Sequence, residues 1–93
     1  MESEKDFFRA LGASIRELRM KRGYTQEDML SFGFSVRFWQ KVEAGKPITM
    51  RTLFRICRLF EAAMHEVIRR TETMEKVPDV AASARRSRRR AHK

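Results

Sequence analysis

The sequence predicts an all-α fold of four to five short helices followed by a basic C-terminal tail, and three observations lead there. Charged residues make up 35% of the 93-residue chain and hydrophobic ones 42%, with only four Gly and two Pro, a balance that favours helices over a turn-rich β fold. Apolar residues recur at three- and four-residue steps through most of the chain, the period of an amphipathic helix. That period fades after Arg70, and 81–93 holds six Lys or Arg with no acid and no large apolar residue, which cannot build a core. A chain of this length buries one modest core. The expected organisation is therefore one domain over 6–70 and a disordered Arg-rich tail over 71–93.

In the first helix, expected over 6–22, Phe8, Leu11, Ile15 and Leu18 form the apolar stripe, and Gly23 supplies a left-handed C-cap over which Tyr24 folds back. Thr25-Gln26-Glu27-Asp28 reads as an N-cap with acids in the first turn, opening a short second helix that carries Met29 and Leu30 inward. Phe32-Gly33-Phe34 ends it. Ser35 caps a third helix over 35–44, in which Trp39 and Val42 share a face with Phe34 just before it, and Gly45 closes that helix. After the loop Lys46-Pro47-Ile48, Thr49 caps a fourth helix with Leu53, Ile56, Cys57 and Phe60 inward and Arg51, Arg55 and Arg58 outward. A fifth helix over 63–70 carries Met64, Val67 and Ile68; Glu61-Ala62-Ala63 contains no strong breaker, which leaves open whether the last two helices are one. Val67 and Ile68 read either as core or as a surface for a second copy of the chain.

The net charge of +9 points to a polyanionic partner, nucleic acid before an anionic membrane surface. It is unevenly spread: +5 over 1–70, −2 over 71–80 and +6 over 81–93. The tail reads either as a DNA arm acting through counterion release or as a solubilising end. No apolar run is long enough to span a bilayer, and the first residues lack the cationic start and apolar stretch of a signal peptide, so no membrane association and a cytoplasmic, nucleoid-associated location are expected. One cysteine, Cys57, and two histidines, His65 and His92, offer neither a disulfide framework nor metal-ligand spacing. No metal, cofactor or catalytic set of nucleophile, base and orienting group is expected, and the chain reads as a non-enzyme.

A short capped helix, a tight turn containing Gly and a second capped helix of about ten residues form the arrangement in which one helix enters the major groove, roughly 12 Å wide, while the other braces on the backbone. Over about 11–68 the sequence resembles the helix-turn-helix family of phage repressors, Cro and related bacterial regulators. The matching residues are Ile15-Arg16-Glu17-Leu18-Arg19, Tyr24-Thr25-Gln26-Glu27-Asp28, Gly33-Phe34-Ser35, Val42-Glu43-Ala44-Gly45-Lys46 and the run from Thr52-Leu53. The resemblance implies a repressor-like domain that binds double-stranded DNA as a homodimer and regulates transcription.

It also implies roles for individual residues. Gln26 matches a residue that anchors the phosphate backbone, and Val36, Arg37, Phe38, Gln40 and Lys41 match groove-facing positions. Their chemistry fits: Arg37 or Lys41 can bond guanine O6 and N7, Gln40 can pair with adenine, and Val36 or Phe38 can touch a thymine methyl. A solvated charged face is the plain alternative. Lys46 and Arg51, flanking the loop, are the expected phosphate clamps. Arg19 and Glu43 match a structural ion pair joining the first helix to the end of the third. Trp39 and Phe34 read as core anchors.

Three features depart from the family pattern. The interval from Gln26 to Glu43 is one residue short, which requires a tightened second helix or turn and sets the groove register only to within one residue. Leu30 stands where a small Ala is common, and Glu61 where a helix-ending Gly is usual. Two other functions stay open. One is a protein-interaction module on the same fold, binding through 35–44 or the tail, which an exposed Phe38 would favour. The other is the antitoxin half of a toxin-antitoxin pair.

Overall fold

Ser3 opens the first helix: its hydroxyl accepts the Asp6 backbone N–H at 3.1 Å, satisfying one of the donors that a helix N-terminus leaves unpaired. The structure, a computed structural model, describes residues 3–74. Among these the elements are α1 (Glu4–Lys21), a 3₁₀ helix (Glu27–Phe32), α2 (Val36–Glu43), α3 (Met50–Leu59) and α4 (Met64–Glu72), with no strand. The all-α class and the four-to-five-helix count are as the sequence predicts. The main core cluster, which includes Leu11, Ile15, Met29, Trp39, Ile56, Phe60 and Val67, is drawn from every element. No helix among the described residues is long and apolar enough to cross a membrane.

The second element differs in kind from the expected α-helix. Thr25 and Asp28 close a reciprocal capping pair, each side chain accepting the other's backbone N–H, at 2.7 and 3.1 Å. Beyond this cap the chain winds as a 3₁₀ helix, which rises about 2.0 Å per residue against about 1.5 Å in an α-helix, so the same residues reach further. The tighter winding also separates Met29 from Leu30: Met29 is fully buried, whereas Leu30 is 66% exposed, contrary to the expectation that both point inward. A large side chain at Leu30 therefore crowds no helix contact.

α2 has only eight residues, too short to hold a helix by local hydrogen bonds alone. Tertiary contacts hold it. The Ser35 hydroxyl accepts the Phe38 N–H at 3.1 Å, Trp39 and Val42 are buried, and Trp39 meets the Phe34 and Phe60 rings at centroid distances of 5.3 and 6.0 Å. Its far end lies against α1, where Gly12 makes room: a Cβ there would stand 2.6 Å from both the Val42 and Glu43 carbonyl oxygens. Any other residue at this position forces the two backbones apart.

Helices α3 and α4 are separate, and Glu61 is the hinge. It adopts φ 53°, the only non-glycine left-handed residue among those described, and α3 closes with Ala62 N–H bonding Cys57 O at 2.9 Å and Glu61 N–H bonding Arg58 O at 3.2 Å. The Arg22 guanidinium also bonds the Phe60 carbonyl, tying this helix end to α1. Beyond it, α4 packs along α1 through the buried Ser14–Thr71 hydroxyl contact at 3.2 Å, with Ala10, Ala13 and Met74 alongside. The helix continues to Glu72, and Thr71 and Met74 are buried, so the domain boundary expected after Arg70 falls short of the folded end. The rest of the proposed tail, 75–93, lies outside the described residues.

Candidate nucleic-acid interface

The base of the site is a buried carboxylate. Glu43, at the last turn of α2, has a side chain with no solvent exposure and receives four donors. Arg19 of α1 makes a two-pronged bridge, Nε to Oε2 at 2.6 Å and Nη2 to Oε1 at 3.1 Å. The Trp39 indole N–H donates to Oε2, and the Gln26 amide to Oε1 at 3.2 Å. Arg19 uses its remaining Nη1 on the Tyr24 carbonyl at 2.8 Å, which ties the turn after α1 into the same cluster. Charge-assisted bonds of this kind are about twice as strong as neutral ones. Burying one charge of the pair without the other costs about 3–5 kcal/mol. Among the described residues no buried side-chain nitrogen or oxygen lacks a partner. The resemblance-based pairing of Arg19 with Glu43 is therefore present in the geometry. The indole contact is an addition that reading Trp39 as an apolar anchor missed; four-residue spacing to an acid on the same buried face is its signal.

Gln26 is half-buried and sits between two partners. Its Nε2 donates to Glu43, and its Oε1 accepts from Gln40 Nε2 at 3.3 Å. The cap of the 3₁₀ helix and the middle of α2 are thereby clasped, with one hydrogen bond reaching Gln40. A primary amide carries two N–H donors, so Gln26 keeps one free of this clasp.

The opposite side of α2 faces water. Arg37 and Lys41, four residues apart, stand together on it, with Gln40 beside them and Val36 half-buried at its margin. Phe38 is 39% exposed at the other margin, its ring parallel to that of Phe34 at 6.2 Å between centroids. Lys46 in the loop and Arg51 in the first turn of α3 are also exposed. Lys46 shares an open cavity of about 580 Å³ with Lys5 and Arg9 of α1, two cations that spacing alone does not connect to it, and with one acid, Glu4. Close packing of Gly45 against Arg9 brings them together: a Cβ on Gly45 would lie 2.9 Å from Arg9 Cα.

Other groups fall away from this face. Val67 is core, 4% exposed, which removes it as a surface for a second copy, and Ile68 is half-buried against the same cluster. Burial pushes the Cys57 thiol pKa up, which keeps it protonated and a poor nucleophile. His65 is exposed on α4 beside Glu66. Comparison with known protein families, with curated proteins and with solved structures finds no significant match for this chain.

Proposed function

We propose that this protein is a sequence-specific double-stranded DNA-binding regulator of transcription that lays α2 in the major groove. The observation that carries the proposal is the division of α2 into two sides. One side, Trp39, Val42 and Glu43, is buried, and Glu43 is hydrogen-bonded to Arg19 of α1, to Trp39 and to Gln26 at the cap of the 3₁₀ helix. The other presents Arg37, Gln40 and Lys41 to solvent on one exposed surface, the side-chain chemistry that reads guanine and adenine edges. A helix held from behind, with donors in front, loses little freedom on entering a groove, which favours specific binding.

In this reading Val36 and Phe38 supply apolar contacts to thymine methyls, while Gln26, Lys46 and Arg51 hold phosphates and set the register. Arg9 and Lys5 join Lys46 in that role. One domain of this size reads few bases, so two copies act together on half-sites about one helical turn apart. The basic residues of 81–93 add a sequence-independent, salt-sensitive contribution. Selection of bound sites from random duplexes tests the proposal: the expected result is enrichment of a pseudo-palindrome, with a sedimentation coefficient for two protein copies per duplex. Failure to enrich any sequence would end the specific-reader proposal, and a single copy on the enriched site would end the homodimer. A protein-binding role on the same fold is favoured by one observation, the exposed ring of Phe38 lying parallel to Phe34.

A further inference from the structure

The 3₁₀–α2 turn and the outer face of α3 enclose a shallow open notch of about 560 Å³, lined by Phe32, Phe34, Phe54, Leu59, Arg55 and Arg58. Two of the rings are open to solvent, Phe32 at 40% and Phe54 at 53%. Both arginines lie over rings. The Arg55 guanidinium carbon stands 4.7 Å from the Phe34 centroid, and Arg58 stands 5.8 Å from that of Phe54. Arg55 also lies close to the turn: a Cβ added at Gly33 would stand 3.3 Å from its Nη2. Stacking restrains the planar forks while leaving their N–H edges free, and among the described residues neither arginine is in an ion pair.

From this we infer that the notch docks an acidic segment of another protein, an apolar side chain of which enters between Phe32 and Phe54 while its carboxylates are forked by Arg55 and Arg58. Aromatic residues and arginine are the side chains enriched in protein–protein interface cores and among their binding hot spots. A second copy of this chain fits poorly, because a two-fold contact through this face sets arginines against arginines. Duplex DNA would satisfy the arginines better than the rings: its interfaces are polar and strongly cationic, and its phosphate-lined surface offers little apolar area to cover Phe32 and Phe54. An acidic protein segment satisfies both.

The test is a titration of the isotopically labelled full-length chain, without DNA, with a synthetic peptide carrying a central Leu-Trp pair flanked by glutamates. A control peptide replaces the glutamates with glutamines. The expected result is movement of the backbone amides of Phe54, Arg55, Arg58 and Leu59, no binding of the control, and affinity about tenfold lower in Phe54→Ser and in the double variant Arg55→Gln/Arg58→Gln. Phe54 is exposed, so its replacement leaves the core intact. Results of four kinds would overturn the inference. The first is movement centred on Arg37 and Lys41, or equal affinity in the variants. The second is random duplex DNA moving the same notch amides. The third is concentration-dependent movement of those amides without peptide, which assigns the notch to a second copy. The fourth is their movement on Glu75→Gln/Asp79→Gln in the peptide-free chain, which assigns it to the chain's own acidic stretch. None of these results depends on whether α2 reads bases, so the two proposals fail separately.

Discussion

The two faces of α2 are built from the same eight residues and obey opposite rules. On the inner face every polar group is spoken for: the Glu43 carboxylate has four donors, and Trp39 meets two aromatic neighbours edge-on. On the outer face Arg37, Gln40 and Lys41 stand exposed, and among the described residues only the Gln40 side chain has a hydrogen-bond partner, the Gln26 amide. The contrast separates the residues that make α2 a rigid element from those that can contact something else. It predicts that stability and binding respond to different substitutions.

The sharpest way to break the separation is at Glu43. Glu43→Ala strands the Arg19 guanidinium and the Trp39 N–H, and an equilibrium denaturation series is expected to show a loss of about 3–5 kcal/mol. Arg37→Ala in the same assay stays within about 0.5 kcal/mol of the parent. A comparable loss for both would mean that the outer face is structural too. Gly12→Ala comes next. A methyl group cannot share space with the Val42 and Glu43 carbonyls, so unfolding by heat or denaturant is expected to show about 1–3 kcal/mol of destabilisation as α2 is displaced from α1. Unchanged stability would place the contact at lower strain than the geometry implies. The smallest effect has the opposite sign. Glu61→Gly removes the steric cost of a left-handed non-glycine residue, about 1–2 kcal/mol, and adds back some chain entropy, for a net gain of about 0.5–1 kcal/mol measured as a raised midpoint.

These sites also mark where the sequence was legible. The caps at Ser35 and Thr49, the stripe Leu53, Ile56, Cys57 and Phe60, and the glycine-terminated ends at Gly23 and Gly45 are local signals that survive folding. The 3₁₀ winding of Glu27–Phe32 is not local. No residue in it signals 3₁₀ over α winding, and the exposure of Leu30 beside the buried Met29 accompanies that winding. Gly12 reads as an ordinary mid-helix residue until the end of α2 is laid against it. Glu61 carries no composition signal for a left-handed cap, because tertiary contacts such as the Arg22 bond to Phe60 stabilise the bend around it. Within the candidate interface, Arg37, Gln40 and Lys41 are legible from spacing around a buried stripe. The approach of Lys5 and Arg9 to Lys46, and of Phe32 to Phe54, joins residues distant in sequence and is visible only once the helices are packed.

Base reading by the outer face of α2 is tested most directly by the ratio of affinities for a selected duplex and a random one. That ratio should be measured at one salt concentration for the parent, Arg37→Ala, Lys41→Ala and Lys46→Ala. If the face reads bases, Arg37→Ala and Lys41→Ala each lower the ratio by about 1–3 kcal/mol in free energy, while Lys46→Ala weakens both duplexes equally and leaves it unchanged. Equal losses on both duplexes for all three variants would contradict base reading, leaving α2 one more cationic surface.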